Sequence, residues 1–150
     1  MRGILDLLRP DSLLLQQQIS SKKRALEILS EALASGLEAT RAHTLLDLLI
    51  ARERLGSTGL GQGIAIPHCR VPDGTQSSAA ILTLADGVDF GAIDGEPVDV
   101  FVALAVPSEA EDVHLQYLKE LAEILDSSEH LKALRTHRKP ESLLADLAKP

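Results

Sequence analysis

Between Ala51 and His68 the chain runs Arg52-Glu53-Arg54-Leu55 into Gly56-Ser57-Thr58-Gly59-Leu60-Gly61-Gln62-Gly63, then through Ile64-Ala65-Ile66-Pro67 to a single imidazole. This order of residue types suits anion chemistry. Glycines let backbone N–H groups converge on an anion, because no Cβ blocks a close approach or a positive φ. Ser57 and Thr58 either add hydroxyl donors or cap the loop. A histidine at the exit of such a loop is a nucleophile near neutral pH, and its N–P bond stays reactive enough to pass a phosphoryl group on. Phosphoryl transfer asks for positioning and charge stabilisation more than covalent work, so few side chains suffice. Gly59, Gly61 and Gly63 do not read as a nucleotide loop. No Gly-Lys-Ser/Thr follows them, and the order helix, loop, strand reverses that of a dinucleotide fingerprint.

Two further side chains are candidates beside His68. His114 shares a helical face with Leu118, Leu121 and Leu125, in an early turn where N–H groups and the positive dipole end gather. It therefore points to the core side of its helix, either as a donor to phosphoryl oxygens or as a core histidine bonded to a carbonyl. Arg52 lies sixteen residues before His68, on a helix end that abuts the loop. A guanidinium can form two parallel bonds to phosphate oxygens, each charge pair worth about 4 kcal/mol at ~4 Å and an effective dielectric of about 20, before desolvation. The bland alternative is a solvated arginine paired with Glu53 or Glu120. Arg54 reads as solvated, and His43, His130 and His137 as surface residues. His68, Cys69 and His114 do not read as a metal site, since adjacent ligands are awkward for one ion and no fourth has zinc-like spacing.

The elements that must position these groups are legible as patterns. Ser20 or Ser21 can cap a helix with the apolar face Ala25, Leu29, Ala32 and Leu33, ended by Gly36. Thr40 can cap a second helix through Leu45, Leu46, Leu48 and Leu49 to about Leu55, with Arg52 in its last turn. Ile64–Ile66, Ala79–Ala85 and Val98–Val106 are apolar runs bounded by turn residues, as strands buried on both faces are. Leu13–Gln17 is a weaker strand candidate. Asp86-Gly87 and Asp94-Gly95 read as turns, with Val88–Phe90 a short edge strand between them. Ser108-x-x-Glu111 reads as a capping box before an apolar stripe at Leu115, Leu118, Leu121, Ala122 and Leu125. Glu129–Arg135 and Glu141–Leu147 read as two closing helices. Helices on both sides of a small apolar sheet give a mixed α and β fold, a three-layer α/β/α sandwich.

Composition bounds what such a fold can do. The 150 residues suit a single domain, 1–150, that buries about two thirds of the unfolded chain's surface. With two Phe, one Tyr and no Trp, the core must be Leu, Ile, Val and Ala. Few aromatic rings and a net charge of −7 argue against nucleic acid as a partner, which wants stacking rings and a basic surface. One cysteine excludes an internal disulfide. No apolar run approaches the roughly 20 residues of a membrane span. The start Met1-Arg2-Gly3-Ile4-Leu5 is broken by Asp6, Arg9, Pro10 and Asp11 before a signal-peptide core forms. The expected setting is the cytoplasm.

Several separated motifs agree with one another: Arg52-Glu53, Gly56-Ser57-Thr58-Gly59, Gly63-Ile64-Ala65-Ile66-Pro67-His68, Pro97-Val98-Asp99, Val106-Pro107 and His114-Leu115. Together they resemble the phosphotransferase-system IIA proteins of the fructose/mannitol type. Ser21-Lys22-Lys23-Arg24-Ala25-Leu26-Glu27-Ile28 is similar to the nitrogen-regulatory branch in particular. Two departures stand out: Gln62 where that branch usually has Asn, and Cys69 where it usually has Gly. The resemblance, over roughly residues 5 to 135, implies a mixed sheet in the sandwich and a phosphocarrier, an enzyme in the sense of a phosphotransferase component. It implies His68 as phospho-acceptor, His114 as its hydrogen-bonding companion and Arg52 as the counter-charge, with no cofactor. The implied partners are an HPr-like phosphoryl donor and then a regulatory target or a IIB protein. A regulatory role is expected first, a stand-alone sugar-specific IIA second, and a non-phosphorylated binding module of the same fold third.

Overall fold

The computed structural model describes residues 3–149; Met1 and Arg2, part of the N-terminal run discussed above, and Pro150 lie outside the described residues. After two 3-10 turns, Ile4–Leu7 and Pro10–Ser12, come strand β1 (Leu13–Gln17) and helices α1 (Lys22–Ser35) and α2 (Ala42–Arg54). Strands β2 (Gly59–Gly61), β3 (Ile64–Ala65), β4 (His68–Val71), β5 (Ser78–Val88) and β6 (Val98–Pro107) follow. Helices α3 (Glu111–Leu125), α4 (Ser128–Thr136) and α5 (Pro140–Leu147) close the chain. The sheet order is β1-β5-β6-β3-β2, with β4 also on β6. It is mixed: β5 with β6 and β2 with β3 are antiparallel, while β1 with β5 and both β3 and β4 with β6 are parallel.

Alternation along β6 divides the core. Phe101, Ala103 and Ala105 face α1 and α2, packing with Leu29, Leu33, Leu45 and Leu49. Val100, Val102, Leu104 and Val106 face the other helices, packing with Leu121, Leu125, Leu134 and Leu143. Successive strand side chains point to opposite faces, so a strand apolar throughout must be covered twice. This is the expected α/β/α sandwich with a mixed sheet.

Local expectations fared unevenly. Ser21 does cap α1, its Oγ accepting from the Arg24 N–H at 3.1 Å, and Gly36 follows the last turn. Thr40 does not cap α2: the helix begins at Ala42 after an extended Arg41 whose side chain makes no capping bond. Ser108 does not cap α3 either. Its N–H donates to the Val71 carbonyl at 3.0 Å, prolonging the β4–β6 ladder, and the helix starts after Ala110. Asp86-Gly87 is no turn but the end of β5, which runs through an irregularity to pair Val88 with Val98. Gly87 is needed for approach, since a Cβ there would stand 2.8 Å from the Pro97 Cβ. Val88 thus belongs to β5 rather than to a separate strand, and Phe90 is a buried loop residue set edge-on to Phe101 at 5.3 Å. The turn at Asp94-Gly95 is present, closed by the Gly95 N–H on the Ala92 carbonyl. In α3, Leu115 and Ala122 are exposed, so the apolar stripe is narrower than expected. His43 is exposed, whereas His130 and His137 are half-buried: His137 Nε2 pairs with Asp146, and both ring nitrogens of His130 lie against carbonyls.

Candidate active site

β3 and β4 are one run of chain beside β6, interrupted at Ile66-Pro67. Ile64 pairs with Val100 and His68 with Leu104, while the Pro67 carbonyl accepts the Leu104 N–H at 3.0 Å. Proline has no N–H to give the ladder, so the strand breaks there and restarts with His68 as its first residue. Cys69 and Val71 turn to the α1/α2 face, which leaves His68 and Arg70 on the opposite face, where α3 passes. The alternation puts Cys69 in the core. Its backbone is ordinary strand, which is why a side chain is accepted here, and burial pushes the thiol up to about 12. It is an inert packing residue.

The His68 ring is fixed by its own backbone. Nδ1 lies 2.7 Å from the Ile66 carbonyl, and a carbonyl can only accept, so Nδ1 carries the proton and donates. Nε2 is left with its lone pair. Burial lowers the His68 pKa; the Ile66 carbonyl works against that, and the Arg52 charge adds to it. The ring is therefore neutral near pH 7. His114, in the second turn of α3, sits with its ring centroid 5.4 Å from that of His68, tilted by 45°. It is only 5% exposed. Burial lowers its pKa first, with the neighbouring His68 and Arg70 acting in the same direction. Its Nδ1 is buried with no hydrogen-bond partner among the described residues. It is not bonded to a carbonyl as a plain core histidine would be. Such an orphan is expensive and uncommon in a folded interior.

Arg52, in the last turn of α2, donates through Nη1 to the Gly56 carbonyl at 2.9 Å, and its charge reaches the His68 ring. Among the described residues it pairs with neither Glu53 nor Glu120. Glu53 is engaged elsewhere. Buried to 9% exposure, it accepts from Lys22 Nζ at 2.9 Å, from the Thr58 N–H at 2.9 Å and from the Thr58 hydroxyl. Those hydrogen bonds outweigh burial and hold the Glu53 carboxyl below its ordinary range. Lys22 also donates to the Phe90 carbonyl and lies 4.3 Å above the Phe90 ring. One carboxylate thus joins the start of α1, the end of α2 and the entry to β2.

The glycine segment is a β-hairpin rather than an open cradle. The Thr58 carbonyl accepts the Ile66 N–H, which keeps Ser57, Thr58 and Gly59 near the His68 end. The Thr58 hydroxyl is spent on Glu53, and Ser57 Oγ accepts the Gly59 N–H at 3.0 Å. Gly59 has no room for a side chain, as a Cβ would stand 2.8 Å from that of Ala92. Gly61 and Gly63 are not brought to His68. Gly63 is level with Asp99 and Val100, four residues along β6 from Leu104, or about 13 Å at ~3.3 Å per residue. Both have positive φ, as does Gln62 between them at 58°. Asn tolerates that left-handed conformation better than Gln does, so Gln62 holds it at some backbone cost. Arg135 secures the turn by donating to the Gln62 carbonyl and to Asp99.

Arg70 and the clamp made by Glu53 with Lys22 carry no signal in the sequence pattern of the site. Arg70 becomes findable only once residues 68–71 are taken as a strand, whose spacing of two puts it on the face of His68.

Both the sequence and the fold have known relatives. Residues 6–149 match the family described as phosphoenolpyruvate-dependent sugar phosphotransferase system, EIIA 2. The chain belongs to that family. Among curated relatives, a nitrogen regulatory protein of Pseudomonas aeruginosa is 42% identical over 137 residues, spanning 91% of this chain and 89% of the relative. A nitrogen regulatory protein of Escherichia coli is 38% identical over 124 residues, spanning 82% and 76%. Among solved structures, nitrogen regulatory protein IIA-Ntr of Neisseria meningitidis superposes with a TM-score of 0.90 at 34% identity, covering 97% of this chain and 99% of that one. The IIA mannitol protein of Escherichia coli, at 23% identity and a TM-score of 0.78 over 94% and 99%, shares the EIIA fold. No described helix is long and apolar enough to cross a membrane.

Proposed function

We propose that this chain is a phosphohistidine carrier that takes a phosphoryl group on His68 Nε2 from an HPr-like donor and serves a nitrogen-related regulatory role. The observation that carries the reading is the bond from His68 Nδ1–H to the Ile66 carbonyl, which leaves Nε2 as the nucleophile. In the transfer the Nε2 lone pair attacks phosphorus, and a new N–P bond forms as the donor's N–P bond breaks. A donor ring protonated on its other nitrogen departs as neutral imidazole. The positive charge passes to the His68 ring, where the Ile66 carbonyl stabilises it. Arg52 offsets the phosphoryl charge, and His114 supplies a hydrogen bond its unpartnered Nδ1 leaves open. The Ser57–Gly59 segment frames the site, while Gly61 and Gly63 shape the hairpin behind it. In this sense the protein is a phosphotransferase component, acting in the cytoplasm as one domain over 1–150.

A protein partner suits the surface. The large exposed apolar side chains among the described residues are Leu55, Leu60, Ile93, Val113 and Leu115. Val113 and Leu115 flank His114; Leu55 and Leu60 lie on the segment leading from Arg52 to His68; Ile93 follows Ala92, which packs on Gly59. The regulatory role rests on the relatives that carry that name. Labelling with phosphoenolpyruvate, enzyme I and an HPr-type protein tests the reading. The expected product is acid-labile, base-stable and absent from His68→Ala; full labelling of that variant would overturn it. Arg52→Ala is expected to slow labelling about 100-fold, and Arg52→Lys to recover only part, lacking the two-pronged geometry.

A further inference from the structure

Arg70 and Glu111 join the two elements that carry the histidines. Arg70 lies two residues beyond His68 on β4 and faces the same way; Glu111 lies three residues before His114, one helical turn back on α3. Arg70 Nη1 donates to Glu111 Oε1 at 2.9 Å. Both side chains are largely exposed, at 43% and 70%. An ion pair so exposed is weakly held, screened by salt and cheap to exchange. The two imidazoles are only 5.4 Å apart, and the ion pair links the strand that carries one to the helix that carries the other. The Arg70 charge already bears on both rings, opposing their protonation. A phosphoryl group brings nearly two negative charges and three acceptor oxygens. A guanidinium prefers that to a lone solvated carboxylate.

We propose that Arg70 is a second phosphate-holding side chain of this site and that Glu111 occupies it in the unphosphorylated protein. Phosphorylation of His68 then exchanges one anion for the other. Arg70 swings from Glu111 to the phosphoryl oxygens, and Glu111 is left unpaired in the first turn of α3, next to Asp112 and the exposed Val113. The first turn of α3 thereby becomes more acidic when the site is loaded, a signal that a partner docking there can read. This inference rests on the phosphocarrier reading above.

The two partners of the ion pair give opposite predictions. If the pair merely braces β4 against α3, Arg70→Ala and Glu111→Gln lose the same bond and behave alike. If Glu111 competes with phosphate for Arg70, Arg70→Ala slows phosphorylation about ten-fold while Glu111→Gln speeds it a few-fold. The rates are measured on full-length protein with the HPr-type donor and with phosphoramidate, whose P–N bond breaks to release ammonia. The Arg70 Nε–H resonance is followed by NMR before and after loading, with thermal melts to confirm folding. A shift of that resonance on loading, to the same position in wild type and in Glu111→Gln, is the expected signature. Equal rates in wild type and Arg70→Ala, or the same change in both variants, would overturn the exchange alone. No incorporation into wild type from either donor would overturn the phosphocarrier reading as well.

Discussion

His68 and His114 lie with their ring centroids 5.4 Å apart, and the nearness of His68 makes His114 less willing to take a proton. Burial is the larger cause for both rings and holds both pKa values below histidine's ordinary 6.5. The sign of the consequence follows. As pH falls through about 6.5 the unfolded chain binds protons at both positions while the folded protein does not, so stability falls with pH in that window and is unaffected above it. Glu53, held below its ordinary 4.5, contributes stability above that value that is lost only at lower pH. Thermal melts between about pH 7.5 and 5.5 should therefore show a falling midpoint, with the slope reduced in His114→Gln. An unaltered slope in that variant would mean the second ring does not titrate as its burial requires. The same substitution separates its two possible roles. If the Nδ1 left without a partner serves the phosphoryl group, His114→Ala still accepts phosphate on His68 but transfers it onward about 100-fold more slowly, a few kcal/mol of lost stabilisation. A histidine with only a packing role would lower the melting midpoint and leave the transfer rate of the folded fraction unchanged.

Position within an element decides what each of these residues can reach, and here the sequence was unevenly informative. α1, β5 and β6 were readable because long apolar runs and a serine cap leave little choice. β2 and β4 were not. The two glycines of β2, the proline before β4 and the polar β4 itself read as loop, and the strands exist only because β3 and β6 are there to pair with. The types of His68, His114 and Arg52 were legible; the 5.4 Å between two rings was not, since it depends on the register of β4 against β6 and on where α3 begins. Nor could the bond partners of Glu53 be read, because Lys22 is thirty-one residues away in sequence. That junction carries its own prediction. Glu53→Ala leaves the Thr58 N–H and the Lys22 ammonium without their buried acceptor, which should cost about 2–3 kcal/mol. It should also free the end of α2 that holds Arg52, so transfer should slow even under conditions where the variant is fully folded. Urea denaturation and transfer rates measured on one preparation test both parts, and Glu53→Gln, which keeps an acceptor, should restore most of the stability.

On the proposed reading, an acidic body with exposed apolar side chains on the segments that carry Arg52, His68 and His114 sets how the whole protein meets its partners. The net charge of −7 becomes about −9 on phosphorylation, with the added charge concentrated beside α3. The apolar rim supplies contact area, and charge supplies steering and discrimination, so partner binding should depend on both salt and phosphorylation state without refolding of the domain. The two contributions can be separated. Leu60, Ile93 and Leu115 are 55%, 87% and 61% exposed, so replacing Leu60 and Leu115 with Ser removes little from the core and should leave the melting midpoint within about a degree. If the rim is where a protein donor docks, the doubly substituted variant should take phosphate from an HPr-type protein with a KM raised about ten-fold and a nearly unchanged kcat. Phosphoramidate needs no docking surface and should label wild type and variant at equal rates. A variant slowed equally with both donors would instead show that the leucines support the geometry of the histidines, and the rim would lose its role in recognition.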